Sequence, residues 1–156
     1  MPSQLHIFLR NHEAAARAGL DLIRRTATNQ RRQPYAGELA AIADEAREDL
    51  TSLQLLMRHL EVEPDMVLGT ALRLGERAGR LKPNGHLLRR APLSDLVEVQ
   101  GVINALTLKL TGWRALAAAH VAEDGDPDLT QLIDRAQRQL DRMLPIHDAV
   151  AARTLR

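Results

Sequence analysis

Apolar residues recur along this chain at alternating steps of three and four, the spacing that keeps one stripe of a helix facing a common axis. Four stretches carry the pattern. The first reads Leu5, Leu9, His12, Ala16, Gly19, Ile23, and the second Leu39, Ile42, Ala46, Asp49, Leu53, Leu56, Leu60. The third, Leu96, Val99, Ile103, Leu106, Leu110, Trp113, Ala117, is apolar for most of its length. The fourth reads Leu129, Ile133, Ala136, Leu140, Met143, His147, Val150. Each helix would run about 25 residues, or about 37 Å at the α-helical rise. The pattern predicts an all-α fold, a four-helix bundle forming a single domain over residues 1–156.

Turn chemistry sets the expected boundaries. Ser3 caps a helix reaching about Thr26, and residues 28–34, Thr-Asn-Gln-Arg-Arg-Gln-Pro, read as a polar loop. Pro34 falls where a first helical residue belongs and opens a segment to about Val62. Pro64 opens a shorter helix ending near Lys82, ahead of the breaker Pro83-Asn84-Gly85. Pro92 or Ser94 starts the third long helix, which ends around Ala122. Asp126-Pro127-Asp128 joins a cap, a proline and an acid suited to the helix dipole, so the fourth helix is expected to begin there. Pro145 lies inside that helix and is expected to kink it.

Composition narrows the class further. A chain of 156 residues can bury one core without staples. Its 21 basic and 20 acidic side chains leave a formal charge of +1, which argues against a disordered polyelectrolyte and against wrapping by nucleic acid. Phe8, Tyr35 and Trp113 are its aromatics, and the Leu- and Ala-rich remainder suits helices better than sheets. With no cysteine, disulfides, thiolate metal sites, iron–sulfur clusters and cysteine nucleophiles are excluded. No apolar run approaches about 18 residues, and Met-Pro-Ser-Gln does not begin a secretion signal, so a cytoplasmic protein with no transmembrane segment is expected. Glycine-rich phosphate loops, the Gly-x-Ser-x-Gly elbow and a helix-turn-helix pair are missing, leaving no sequence-specific nucleic-acid motif.

Three polar residues interrupt the stripes: His12, Asp49 and His147. An antiparallel hairpin centred near residue 31 puts positions summing to about 62 at one level, His12 and Asp49 among them. Facing each other in the interior, they form either a buried hydrogen-bonded pair or half of a site for iron, manganese or zinc. Lys109, beside the third stripe, either pairs with an inward acid or reads as a surface lysine whose stem lies along the helix, and the surface reading is favoured. Ala15, Ala16 and Gly19 leave room for a small apolar ligand between the helices.

Four long helices, a long connector carrying a short helix between the second and third, and inward carboxylates beside a histidine resemble the ferritin-like superfamily over nearly the whole chain. The 19 arginines against Lys82 and Lys109 are similar to the composition of small ferritin-like proteins from high-GC actinobacteria. Metal-binding members of that superfamily place a Glu on each of two helices and Glu-x-x-His on the other two. The nearest matches here are Glu13 beside His12, Glu45 with Glu48, Glu98, and Asp134 with Gln137; neither Glu-x-x-His is present. The expectation is therefore a non-catalytic interaction or scaffold module, not an enzyme, and without a cofactor. The alternative is a metal-dependent protein using iron, manganese or zinc, with a reduced ligand set drawn from His12, Glu13, Glu45, Asp49 and His147.

Two topologies fit the connector. If it crosses the bundle, His147 lies at the opposite end from His12 and Asp49; if it folds back, His147 joins them. Its length and the resemblance favour the crossing. The crossing gathers Arg24, Arg25, Arg31, Arg32, Lys82, Arg89 and Arg90 at one end and sets the turn from Glu123 to Asp128 at the other. Arg31, Arg32, Lys82, Arg89 and Arg90 are then the candidate surface for an anionic partner, alongside self-association or contact with a protein partner.

Overall fold

In the computed structural model, which describes residues 3–65 and 91–156, all regular structure among the described residues is α-helical. The four long helices are α1 (Gln4–Asn29), α2 (Ala36–His59), α3 (Pro92–Ala118) and α4 (Leu129–Thr154). Ser3 caps α1, its hydroxyl accepting the His6 N–H at 3.2 Å. Asp128 caps α4, accepting from the Thr130 and Gln131 N–H groups at 2.9 and 3.2 Å. Asp126 is not the cap. Its carboxylate accepts instead from the Glu123 N–H at 2.8 Å and meets His59 Nδ1 at 2.6 Å, which ties the acidic turn to the end of α2.

Several boundaries differ from those expected. α1 continues past Thr26 to Asn29, with the Thr26 and Thr28 hydroxyls bonded back to the Leu22 and Arg24 carbonyls, both at 2.9 Å. α2 begins at Ala36, after Pro34, and ends at His59. There Glu61 turns left-handed (φ 55°) and the Val62 N–H bonds back to Met57 O at 2.8 Å, a Schellman closure. α3 ends by the same device at His120 (φ 49°), with Val121 N–H on Leu116 O at 3.2 Å. α4 runs through Pro145 to Thr154. The short helix and breaker expected between Met66 and Arg90 lie outside the described residues.

α1 packs on α2 and α3, and α4 packs on α3 and α2. Glu13 meets Gln54, so α1 and α2 are antiparallel. Gly19 faces Ala105 and Gly112 faces His12, so α1 and α3 are antiparallel too. Glu38 with Arg142 and Asp49 with Arg135 make α2 and α4 antiparallel. The order is therefore up-down-down-up. The described chain stops at Asp65, near the α3–α4 turn, and resumes at Ala91 at the other end, where Arg25 pairs with Glu98.

The core falls into two clusters. One gathers Leu20, Ile23, Leu39, Ile42, Leu96, Val99, Leu106, Met143, Ile146 and Val150. The other gathers Leu9, Leu53, Leu56, Met57, Leu110, Trp113, Leu116, Leu129 and Leu132. Each fully buried aliphatic side chain contributes about 1.5–3 kcal/mol of transfer free energy. Between the clusters Asp49, Lys109 and Gln139 form a polar layer, each lying along its helix between members of both. α3 exposes Leu93, Val97 and Leu108 on its outer side, among the polar Gln100, Asn104, Thr107 and Thr111. Among the described residues no helix is long and apolar enough to cross a membrane.

Candidate functional site

The polar layer is built from three helices. Asp49 enters from α2 at 1% exposure, flanked by Ala46 and Leu53 on the inward stripe. Lys109 enters from α3 with its ammonium 2.5 Å from Asp49 Oδ2, and also bonds Gln139 Oε1. Gln139 enters from α4, fully buried, and its amide N–H groups reach Glu45 Oε2 at 2.9 Å and Asp49 Oδ2 at 3.3 Å. Arg135 Nη2 lies 2.5 Å from Asp49 Oδ1, a charge contact without hydrogen-bond alignment. The same guanidinium donates to Glu48 at 3.0 Å. One turn on, Arg142 donates to Glu45 and Glu38, both at 2.7 Å. An acidic side of α2 thus meets a basic side of α4, with Lys109 inserted from α3.

Burial shapes the ionisation of this layer. It lowers the Lys109 pKa, and the neighbouring Asp49 carboxylate only partly offsets that. For Glu45 burial alone would raise the pKa, but the hydrogen bonds from Arg142 and Gln139 outweigh it and hold the carboxyl below its ordinary value. At the bundle end, the Glu123 N–H and then His59 hold Asp126 low. The reading of Lys109 as a surface lysine is overturned: its side chain is 14% exposed and points into the interior.

The expected pairing of His12 with Asp49 does not form. α1 runs longer and α2 starts later than the loop chemistry implied, so Glu13 stands opposite Gln54 and the hairpin register slips by more than a turn. His12 instead faces α3, where its ring occupies the place a Gly112 side chain would take. Its Nδ1 lies 3.3 Å from Phe8 O, its ring stacks on Phe8, and its Nε2 has no hydrogen-bond partner among the described residues. Burial lowers its pKa, against the Phe8 and Leu108 carbonyls, which favour the charged ring.

The remaining candidates are separated. Glu13, 1% exposed, is held by Arg17 and by Gln54 at 3.0 Å on the α1–α2 seam. Glu45 belongs to the polar layer. His147 sits half-buried beyond that layer, its Nδ1 3.1 Å from Asp148. Among the described residues, no three His, Asp or Glu side chains converge as a metal would require. Of the basic end, Arg31 and Arg32 are exposed, Arg31 bonding Thr28 O at 3.1 Å, and Arg25 is tied to Glu98. Lys82, Arg89 and Arg90 lie outside the described residues.

The structure bears out the alternative reading of Lys109, a pairing with an inward acid, whereas sequence reasoning missed Arg135, Gln139 and Arg142 as partners of the α2 carboxylates. The expected stripe of α4 is buried at Leu129, Ala136, Met143 and Val150, but at the turns between them the buried residues are Leu132, Gln139 and Ile146, one position before Ile133, Leu140 and His147. A polar residue at that spacing was the available signal. Compared with protein-family models, with curated proteins and with solved structures, the chain matches none.

Proposed function

We propose that this chain is a non-catalytic helical-bundle module of the cytoplasm that acts by contact with another protein chain, its interior built as a charge brace. The observation that carries the reading is the fate of the interior carboxylates. Asp49 is neutralised by Lys109 and Arg135 and Glu45 by Arg142, so these oxygens are spent on holding helices together rather than on a ligand. The up-down-down-up order is the one the ferritin-like resemblance implies, and it supports kinship with that superfamily. Contact is supported by the outer side of α3, where Leu93, Val97 and Leu108 are exposed and Arg114 is the charged residue among the exposed ones described. Arg31 and Arg32 offer an anionic partner a second place to dock.

A metal-dependent role is the second reading, favoured by one observation: the buried His12 Nε2 without a partner among the described residues. Thermal melts with added iron, manganese or zinc separate the two. The brace predicts an unchanged Tm. A rise that disappears in His12→Ala and in Asp49→Ala establishes the metal reading instead.

A further inference from the structure

A cavity of about 50 Å³ lies between α1, α2 and α3, walled mainly by Ala16, Gly19, Leu53, Ala105, Leu106 and Trp113. We propose that it binds a small uncharged molecule of mainly apolar character carrying one oxygen, of the class of short-chain ketones and alcohols. This goes beyond the contact role and does not use the α3 outer side; the charge brace borders the cavity through Asp49 and Lys109.

Trp113 carries the argument. It is 3% exposed and lines the cavity, and its Nε1–H has no acceptor among the described residues. An indole N–H can only donate, and a buried donor left unmet is costly, so the site favours whatever brings it an acceptor. Two of the other polar side chains on the wall, Asp49 and Lys109, do not compete for that role. Asp49 and Lys109 are engaged with each other and with Arg135 and Gln139. With those charges matched internally, a charged ligand would enter without compensation.

His12 lines the same wall with Nε2 unpartnered among the described residues. With Nδ1–H directed at Phe8 O, the neutral ring presents a lone pair at Nε2, which a hydroxyl could meet and a ketone could not. Size sets the upper limit. A single water needs about 10–15 Å³ on this measure, so the space suits about three to five heavy atoms. One water meeting Trp113 Nε1–H and His12 Nε2 would fill only part of the space and leave the apolar remainder of the wall without contacts.

Trp113 is the chain's single tryptophan, so one indole N–H resonance reports on the site. Titration with 2-butanone and 1-propanol is expected to move that resonance downfield and to saturate, and xenon is expected to displace butanone in the wild-type protein. Ala16→Leu fills the cavity and removes both responses. Trp113→Phe retains xenon, followed through the Leu53 and Leu106 methyls, and weakens butanone about fivefold, the scale of one hydrogen bond. A linear shift that never saturates, or one that xenon leaves unchanged, overturns the site. Unchanged butanone affinity in Trp113→Phe overturns the assignment of the acceptor.

Discussion

The α1–α3 seam and the α2–α4 seam join antiparallel helices by opposite means. Along α1 and α3 the backbones come close because glycine or alanine stands at the contacts: Gly19 against Ala105, Gly101 against Leu22, Gly112 against His12. Along α2 and α4 the backbones stand further apart, and long side chains span the gap, Glu38, Glu45, Glu48 and Asp49 from one side and Arg135, Gln139 and Arg142 from the other. The first seam depends on missing volume, the second on matched charge. Each should therefore fail to a different insult.

The charged seam should show the largest single-residue effect. Asp49→Ala leaves Lys109 and Arg135 facing the interior without their carboxylate, and the expected loss in urea denaturation is about 3–5 kcal/mol. Replacing all three together, Asp49→Leu with Lys109→Met and Arg135→Met, should recover most of that loss, since an apolar substitute avoids the desolvation of three charges. If the triple variant is as unstable as the single one, the seam is not held by charge matching.

On the close seam, Gly112→Ala places a Cβ 2.5 Å from His12 Nε2. The ring must move, at an expected cost of about 1–3 kcal/mol. In a His12→Ala background the same substitution should cost nothing, a coupling that a double-mutant cycle measures directly.

Acid should separate the seams in sequence. The folded His12 pKa lies below 6.5 because of burial, so between that folded value and 6.5 the unfolded chain binds more protons. Stability should therefore rise with pH through that window and show no further change from this group above it. The Glu45 carboxyl is held low mainly against its own burial, by Arg142 and Gln139, so its contribution is complete at neutral pH. It is lost only as pH falls through the depressed folded value. Tm measured from pH 4 to pH 8 should show a His12-dependent slope, flattened by His12→Gln, at higher pH than any change removed by Glu45→Gln.

The smallest expected effect is Gly101→Ala. Its Cβ would meet Leu22 Cδ2 at 3.0 Å, the far end of a flexible side chain that can give way. Helix propensity returns up to about 1 kcal/mol, so the net change should lie within about 0.5 kcal/mol of wild type. A large loss would mean that the whole seam, not only the His12 contact, is closed to added volume.

Much of the architecture was legible because helix periodicity is a local property. Leu39, Ile42, Ala46, Leu53 and Leu56 are all buried as their spacing implies, and Ser3 caps α1. The candidate site was less legible. Asp49 was recognisable as an interior acid, since it breaks an otherwise apolar stripe, yet its partners come from 60 and 90 positions away along the chain. His12 was recognisable as an odd residue on its stripe but was assigned to the wrong neighbour. The pairing rested on a loop centre, and α1 reaching Asn29 with α2 starting only at Ala36 moved that centre.

The sequence by itself determined that the chain forms four amphipathic helices and which side of each turns inward, because a 3.6-residue period needs only near neighbours to be read. The crossing that makes α2 and α3 run the same way was favoured by the connector's length, but only the packed helices brought Lys109 and Arg135 to Asp49 and set the His12 ring in the space beside Gly112. Those outcomes depend on the relative slide and separation of whole helices. A shift of one turn exchanges every partner across a seam while leaving each stripe intact, so nothing local in the sequence can choose among the registers.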